Sequence, residues 1–151
     1  MSYELRPVVS AADWEAMHAI RRATLFAAGR HTKPIIYDDQ HPDDRKPGNQ
    51  CFLLVLDGRP IGVTRLDRRG ADGGVIRLVA IVPDAQRAGH GRMMGAMVED
   101  VARARGMNHL VVNAAGTATG FYEKTGWHPF SWDPGELAGI ASHCVQMSKP
   151  L

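Results

Sequence analysis

The order of segments along the chain predicts a mixed α/β (α+β) fold, and three observations carry that prediction. Residues 75–82, VIRLVAIV, are almost all apolar, as expected of a strand covered on both faces. From Gly91 to Arg105 the pattern turns helical: Met94, Met97, Val98 and Val101 line one face, with Glu99 and Arg103 on the other as an i,i+4 pair. Before both, CFLLVLD and IGVTRLD flank a turn at Gly58-Arg59-Pro60, which reads as a hairpin.

The remaining elements follow in order. Residues 3–9 alternate loosely and predict a strand. Ser10 with Asp13 forms a helix-start capping pattern, and Trp14, Met17, Ile20, Thr24 and Leu25 recur at helical spacing until Gly29 stops the run. Residues 30–49 hold three prolines and no sustained period, so they predict a long loop of the kind that is functional or mobile. Gly70 to Gly74 predict a second turn, and Gly106 ends the helix that starts near Gly91. A strand at 109–113, a short helix at 117–125, and strands at 127–132 and 142–149 complete the chain. No repeat or low-complexity tract interrupts it, and one domain over residues 1–151 is expected.

Bulk composition narrows the function. Hydrophobic residues make up 44% of the 151 and charged residues 23%, ordinary for a soluble globular chain with a real core. A net charge of +2 is too small an excess to predict nucleic acid or a membrane surface as partner. Two cysteines, Cys51 and Cys144, predict no disulfide framework, and the N-terminus lacks the apolar run of a signal peptide. A cytoplasmic location is the expectation. The seven histidines show no HxxxH or clustered Cys/His spacing, so no metal is expected.

The most informative segment is Gln86-Arg87-Ala88-Gly89-His90-Gly91-Arg92, between the apolar strand and the amphipathic helix. A helix N-terminus presents unpaired N–H groups and a positive dipole end, which together hold phosphate oxygens. Glycines at 89 and 91 remove Cβ atoms from the approach, and Arg87 and Arg92 add charge-assisted contacts. A plain strand-to-helix turn would also use these glycines. A dinucleotide fingerprint would need glycine where Met94 stands, and no GxxxxGK[ST] run occurs. His90 inside the turn is expected to face solvent, and Met93, Met94 and Met97 to fill gaps in the core.

The segment resembles the Q/R-x-x-G-x-G/A signature of the GNAT (GCN5-related N-acetyltransferase) superfamily, matched by Gln86, Gly89 and Gly91. Asn113 to Trp127, NAAGTATGFYEKTGW, is similar to the family's second coenzyme-binding segment, with Phe121, Tyr122, Glu123, Lys124, Gly126 and Trp127 agreeing. The ending ELAGIASHCVQMSK weakly resembles that of some members, with Ser142 in place of a proline. The likeness covers about residues 75 to 149; the first 70 fit by element order. Where many relatives place an asparagine seven residues before the tyrosine, Ala115 stands, and Asn113 lies two residues earlier.

The resemblance implies a central, mostly antiparallel mixed sheet of about seven strands, flanked by helices and splayed between the fourth and fifth. It implies acetyl-coenzyme A as cosubstrate and a primary amine, expected on a small molecule, as acceptor. The backbone of Val79 and Ile81 would pair with pantetheine amides, the N–H near Ile81 would meet the developing oxyanion, and Asn113 is the side chain near that arm. Residues Gln86, Arg87, Ala88, Gly89, His90, Gly91 and Arg92 would take the diphosphate. Tyr122 would protonate the departing thiolate as general acid. A homodimer fits the family.

The general base is left unassigned. The strand at 75–82 carries Arg77 and no carboxylate; His31, Tyr37, Asp38, Asp39, His41, Glu136 and His143 are the scattered candidates. Two other readings stay open: a non-catalytic acyl-coenzyme A sensor, and a peptide or protein N-acetyltransferase whose groove comes from the 30–49 loop.

Overall fold

A computed structural model, describing residues 1–33 and 35–151, places seven strands in one sheet of order β1-β2-β3-β4-β5-β7-β6. Pro34, inside the expected 30–49 loop, lies outside the described residues. The strands are β1 (Tyr3–Pro7), β2 (Asn49–Leu56), β3 (Arg59–Arg69), β4 (Gly73–Ile81), β5 (His109–Ala114), β6 (His128–Pro129) and β7 (Val145–Pro150). Every pairing is antiparallel except β4–β5, so the sheet is mixed and mostly antiparallel.

Helix α1 (Ala11–Ala23) covers one face of the sheet, packing Met17 and Ile20 on Leu53, Val55 and Val63. Its start is the expected capping box: Asp13 N–H donates to Ser10 Oγ at 3.1 Å, and Ser10 N–H donates to Asp13 Oδ2 at 3.4 Å. Its end is earlier than expected, at Ala23 and not at Gly29. Thr24 turns its hydroxyl onto the Ile20 carbonyl at 2.6 Å and leaves helical geometry, and the wide Phe26 N–H to Arg21 carbonyl bond closes the turn.

Helices α2 (His90–Ala104) and α3 (Thr119–Lys124) cover the opposite face, where Met94, Val98, Tyr122 and Trp127 meet Leu66, Ile76, Leu110 and Val112. Met94 is core as expected, whereas Met93 is 40% exposed. Glu99 is also not on a solvated face: it is buried, paired with Lys149 at 2.9 Å besides Arg103 at 3.8 Å. The expected strand at 127–132 shrinks to two residues: Phe130 N–H still donates to the Gln146 backbone carbonyl, but the amides of Trp132 and Asp133 are taken by the Gln146 side chain.

The site is made by a failure of pairing. Arg65 faces Arg77 and Val63 faces Ala80, so Leu78 and Val79 together stand opposite Thr64. Leu78 has φ +54°, and this bulge bends β4. Parallel pairing of β4 with β5 stops at Ile76↔Val112, although β4 runs on to Ile81 and β5 to Ala114. The two strands part there, in the fourth-to-fifth position expected.

Candidate active site

Beyond the split, β4 offers backbone groups with no strand partner. Val82 N–H donates to the Ile61 carbonyl at 2.8 Å, so by alternation Ile81 turns its own N–H and carbonyl away from β3, toward the gap. The Ile81 carbonyl is taken by the Gln86 amide at 2.9 Å. Gln86 thereby ties the turn to the strand end, which uses the side chain that the phosphate reading assigned to a ligand.

The turn itself has the geometry of an anion cradle. Gly89 is the N-cap of α2 at φ +86°, a conformation that costs a residue with a Cβ about 1–2 kcal/mol. The first helical bond is Met93 N–H to the Gly89 carbonyl, which leaves the amides of His90, Gly91 and Arg92 without partners among the described residues. Arg87 and Ala88 are exposed before the cradle, and Arg92 is exposed beside it. His90 does not face solvent: its ring is buried, and Nδ1 meets the Tyr3 hydroxyl at 2.6 Å. Only its backbone is turned to the cradle.

Between α2, α3 and β4 lies a cavity of about 260 Å³, whose walls include Val79, Gly91, Arg92, Phe121, Tyr122 and Lys124. Cavity and cradle are therefore continuous. Tyr122 is 9% exposed, wedged edge-on against Phe121 and Trp127 with ring centroids 5.3 and 5.5 Å away. Its hydroxyl has no hydrogen-bond partner among the described residues. Burial, with a smaller push from the nearby Cys144 thiol, lifts its pKa to about 12, so the phenol stays protonated at neutral pH.

On the α1 face, a line of alternating charges starts at the split. Arg77, on β4, donates Nη1 and Nη2 to Glu136 at 2.8 and 3.1 Å, and Nε to Asp67 at 2.9 Å. Arg65 grips Asp67 at 2.7 and 3.1 Å and reaches Asp44 at 2.9 Å, which also holds Arg21 at 2.8 Å. Three carboxylates thus alternate with three guanidinium groups. Glu136 sits at the gap because Asn113 on β5 donates to its Oε1 at 3.1 Å. Both polar atoms of the Asn113 side chain are committed, since Oδ1 accepts from Gln146 at 3.0 Å; only its backbone is left for a pantetheine arm. Gln146 also accepts from Trp132 and Asp133, and Trp132 Nε1 donates to the Val112 carbonyl at 3.1 Å, pinning the loop that carries Glu136. The Arg77 bonds hold the Glu136 carboxyl below its usual range, outweighing partial burial.

Of the scattered base candidates, only Glu136 stands at the split. Asp39 pairs with Arg22 on the surface, Tyr37 bonds Arg21 and His18 beside α1, and His31 meets the Leu25 carbonyl. Asp38 and His41 serve local turns at Gln40 and Asp43, and His143 is exposed. Among the described residues, no group of three His, Cys, Asp or Glu side chains is arranged to hold a metal ion.

A sheet split at a bulge, an amide cradle at the head of the following helix, and a buried tyrosine across the cavity define an acyltransferase-type fold. The chain belongs to the GNAT acetyltransferase family, whose domain matches residues 27–151. Solved structures agree with it in fold. The PaiA N-acetyltransferase of Thermoplasma acidophilum, in complex with coenzyme A, superposes with a TM-score of 0.77 at 16% identity, covering 100% of each chain. A GNAT-family acetyltransferase of Staphylococcus aureus gives 0.77 at 12% identity over 99% of each chain. The ribosomal-protein-S18-alanine N-acetyltransferase of Escherichia coli gives 0.73 at 18% identity, over 99% of this chain and 94% of that one. No curated protein matches the sequence significantly.

Proposed function

We propose that the protein transfers an acetyl group from acetyl-coenzyme A to the primary amine of a small molecule. The observation that carries this reading is the continuity of the amide cradle at residues 90–92 with a cavity that Tyr122 helps to wall. The diphosphate lies on the cradle, flanked by Arg87 and Arg92, and the pantetheine arm runs along Val79 and Ile81. Its thioester enters the β4–β5 gap, where free backbone N–H groups oppose the charge that develops on the carbonyl oxygen.

A neutral amine attacks the carbonyl carbon, the C–N bond forms and the C–S bond breaks. Of the two protons that an ammonium acceptor loses, one ends on the coenzyme thiol and one leaves to water. Tyr122 supplies the thiol proton and is recharged from the nitrogen of the collapsing intermediate. A phenol near 12 is a weak donor to a thiolate whose aqueous pKa is about 8.5, but the burial that lifts the phenol also raises the proton affinity of the thiolate.

The small-molecule acceptor is favoured over a peptide by the second cavity, about 200 Å³ and polar, walled by Asp67, Arg77 and Glu136 on the α1 face. The test is thiol release from acetyl-coenzyme A with small amines and with peptides in parallel. Release with amines supports the reading; release with peptides alone replaces the acceptor, and coenzyme binding without release from any acceptor leaves a sensor.

A further inference from the structure

The polar cavity on the α1 face has two chemically different ends. At the gap stands Glu136, whose Oε1 already accepts from Arg77 and Asn113 while Oε2 accepts only from Arg77. A carboxylate oxygen has two lone pairs, so Oε2 keeps one, and its side chain is 28% exposed into the cavity. At the other end, Asn49 lies opposite Asp67, which lies opposite Val75, so the floor spans three neighbouring strands. Two strand spacings place that end about 10 Å from β4. Lys46 stands there, exposed and without an ion-pair partner among the described residues.

The balance of charge decides what fits. Three carboxylates, Asp43, Asp67 and Glu136, face four cations, Lys46, Arg68, Arg69 and Arg77. Asp67 is consumed by Arg65 and Arg77, and Arg68 is turned onto the carbonyls of Ala71 and Arg105. Arg69 lies over Trp132, 5.3 Å from its ring centroid, and its charge reaches Glu136. A simple cation would find one free lone pair on Glu136 and, at the other end, the Asp43 carboxylate, which among the described residues has no cation closer than His41 at 3.9 Å, in a cavity whose formal charges still sum to one positive. A molecule carrying an anion as well as an amine answers both ends.

Resting on the acetyl-transfer reading, we propose that the acceptor is a small amphoteric amine, its nitrogen docked on Glu136 at the gap and its carboxylate or phosphate on Lys46 across the cavity. Glu136 holds the nitrogen and does not take its proton. Moving a proton from an ordinary ammonium to a carboxylate that the Arg77 bonds hold below its usual range is steeply uphill, so the proton leaves through cavity water.

The experiment measures kcat/KM by thiol release for matched probes: 4-aminobutyrate against butylamine, 6-aminohexanoate against hexylamine, and 3-aminopropyl phosphate as the phosphate arm. One charge-assisted contact corresponds to about 10–100-fold, so the better amphoteric probe should exceed its plain amine by at least about tenfold. Whether carboxylate or phosphate is preferred identifies the anion. Lys46→Met should bring the ratio toward one, a change that a merely structural lysine would not cause. Glu136→Gln should lower kcat/KM for every probe and leave the acetyl-coenzyme A dissociation constant unchanged. Butylamine and hexylamine matching their amphoteric partners, or a ratio unmoved in Lys46→Met, would overturn the proposal. Acetyl-coenzyme A binding with no thiol release from any probe would instead overturn the transfer reading beneath it.

Discussion

Two glycines two positions apart, Gly89 and Gly91, should respond to alanine with opposite signs in stability and the same sign in binding. At Gly89 an added Cβ would meet nothing within 4 Å, but φ is +86°, so Gly89→Ala costs about 1–2 kcal/mol of strain. At Gly91 the backbone is helical and an added Cβ would stand 3.8 Å from Ile81 Cγ1 and from Phe121 Cζ, ordinary contact. Gly91→Ala should therefore stabilise the free protein, by up to about 0.5–1 kcal/mol, through the lower entropy cost of alanine in a helix. That same methyl projects into the cavity beside the unpaired amides of residues 90–92. Keeping a diphosphate from one such amide removes a charge-assisted hydrogen bond of about 1.5–3 kcal/mol, which is about 10–100-fold in dissociation constant. Calorimetric titration with acetyl-coenzyme A and thermal melting of the free variants give both quantities. A Gly91→Ala protein that melts higher and binds the coenzyme as tightly as the parent would refute the placement of the phosphates.

Three further outcomes follow from the geometry. Tyr122→Phe removes a hydroxyl without a partner, so the melting temperature should hardly move, while kcat at pH 7 on a working acceptor drops about 10²–10⁴-fold. With the phenol lifted to about 12, the parent should show no loss from tyrosine ionisation at pH 10, where an unperturbed tyrosine would be half ionised; a pH–rate profile checks this. Asp44→Asn leaves the buried Arg21 without a carboxylate partner, while Arg65 keeps only Asp67, and should cost about 3–5 kcal/mol in urea unfolding. Desolvation pushes the Asp44 carboxyl up, but Arg21 and Arg65 outweigh it and hold the group below its usual value. Its stabilising contribution is therefore complete above the unfolded value of about 3.9 and is lost as pH falls through the lower folded value. The gap in urea midpoint between parent and variant should be narrower at pH 3 than at pH 7.

Local chemistry was legible in the sequence wherever neighbours in the chain determine it. The capping box at Ser10, the turn before α2 and the sequence around Tyr122 each depend on residues within one or two turns of each other. The end of α1 was not legible, because Thr24 and not Gly29 closes it through a bond to its own helix. Buried charge was the larger omission. Arg65 and Asp67 alternate on β3 like an ordinary solvent-facing pair, and Glu99 continues a polar helix face. Their burial follows from Asp44 and Lys149, which lie 21 and 50 residues away. Glu136 was one carboxylate among several scattered candidates. Arg77 and Asn113 bring it to the gap from strands 59 and 23 residues distant, and only the lone arginine in an apolar strand hinted that a partner was needed.

The most direct measurement is a crystal structure of the protein with coenzyme A. Acetyl transfer in the β4–β5 gap predicts diphosphate oxygens within about 3.2 Å of the amide nitrogens of His90, Gly91 and Arg92, at hydrogen-bond distance. It predicts the thiol at the gap, within direct or single-water reach of the Tyr122 hydroxyl, with Glu136 on the far side. A coenzyme bound elsewhere, or one whose thiol points away from Tyr122 and the gap, would contradict it.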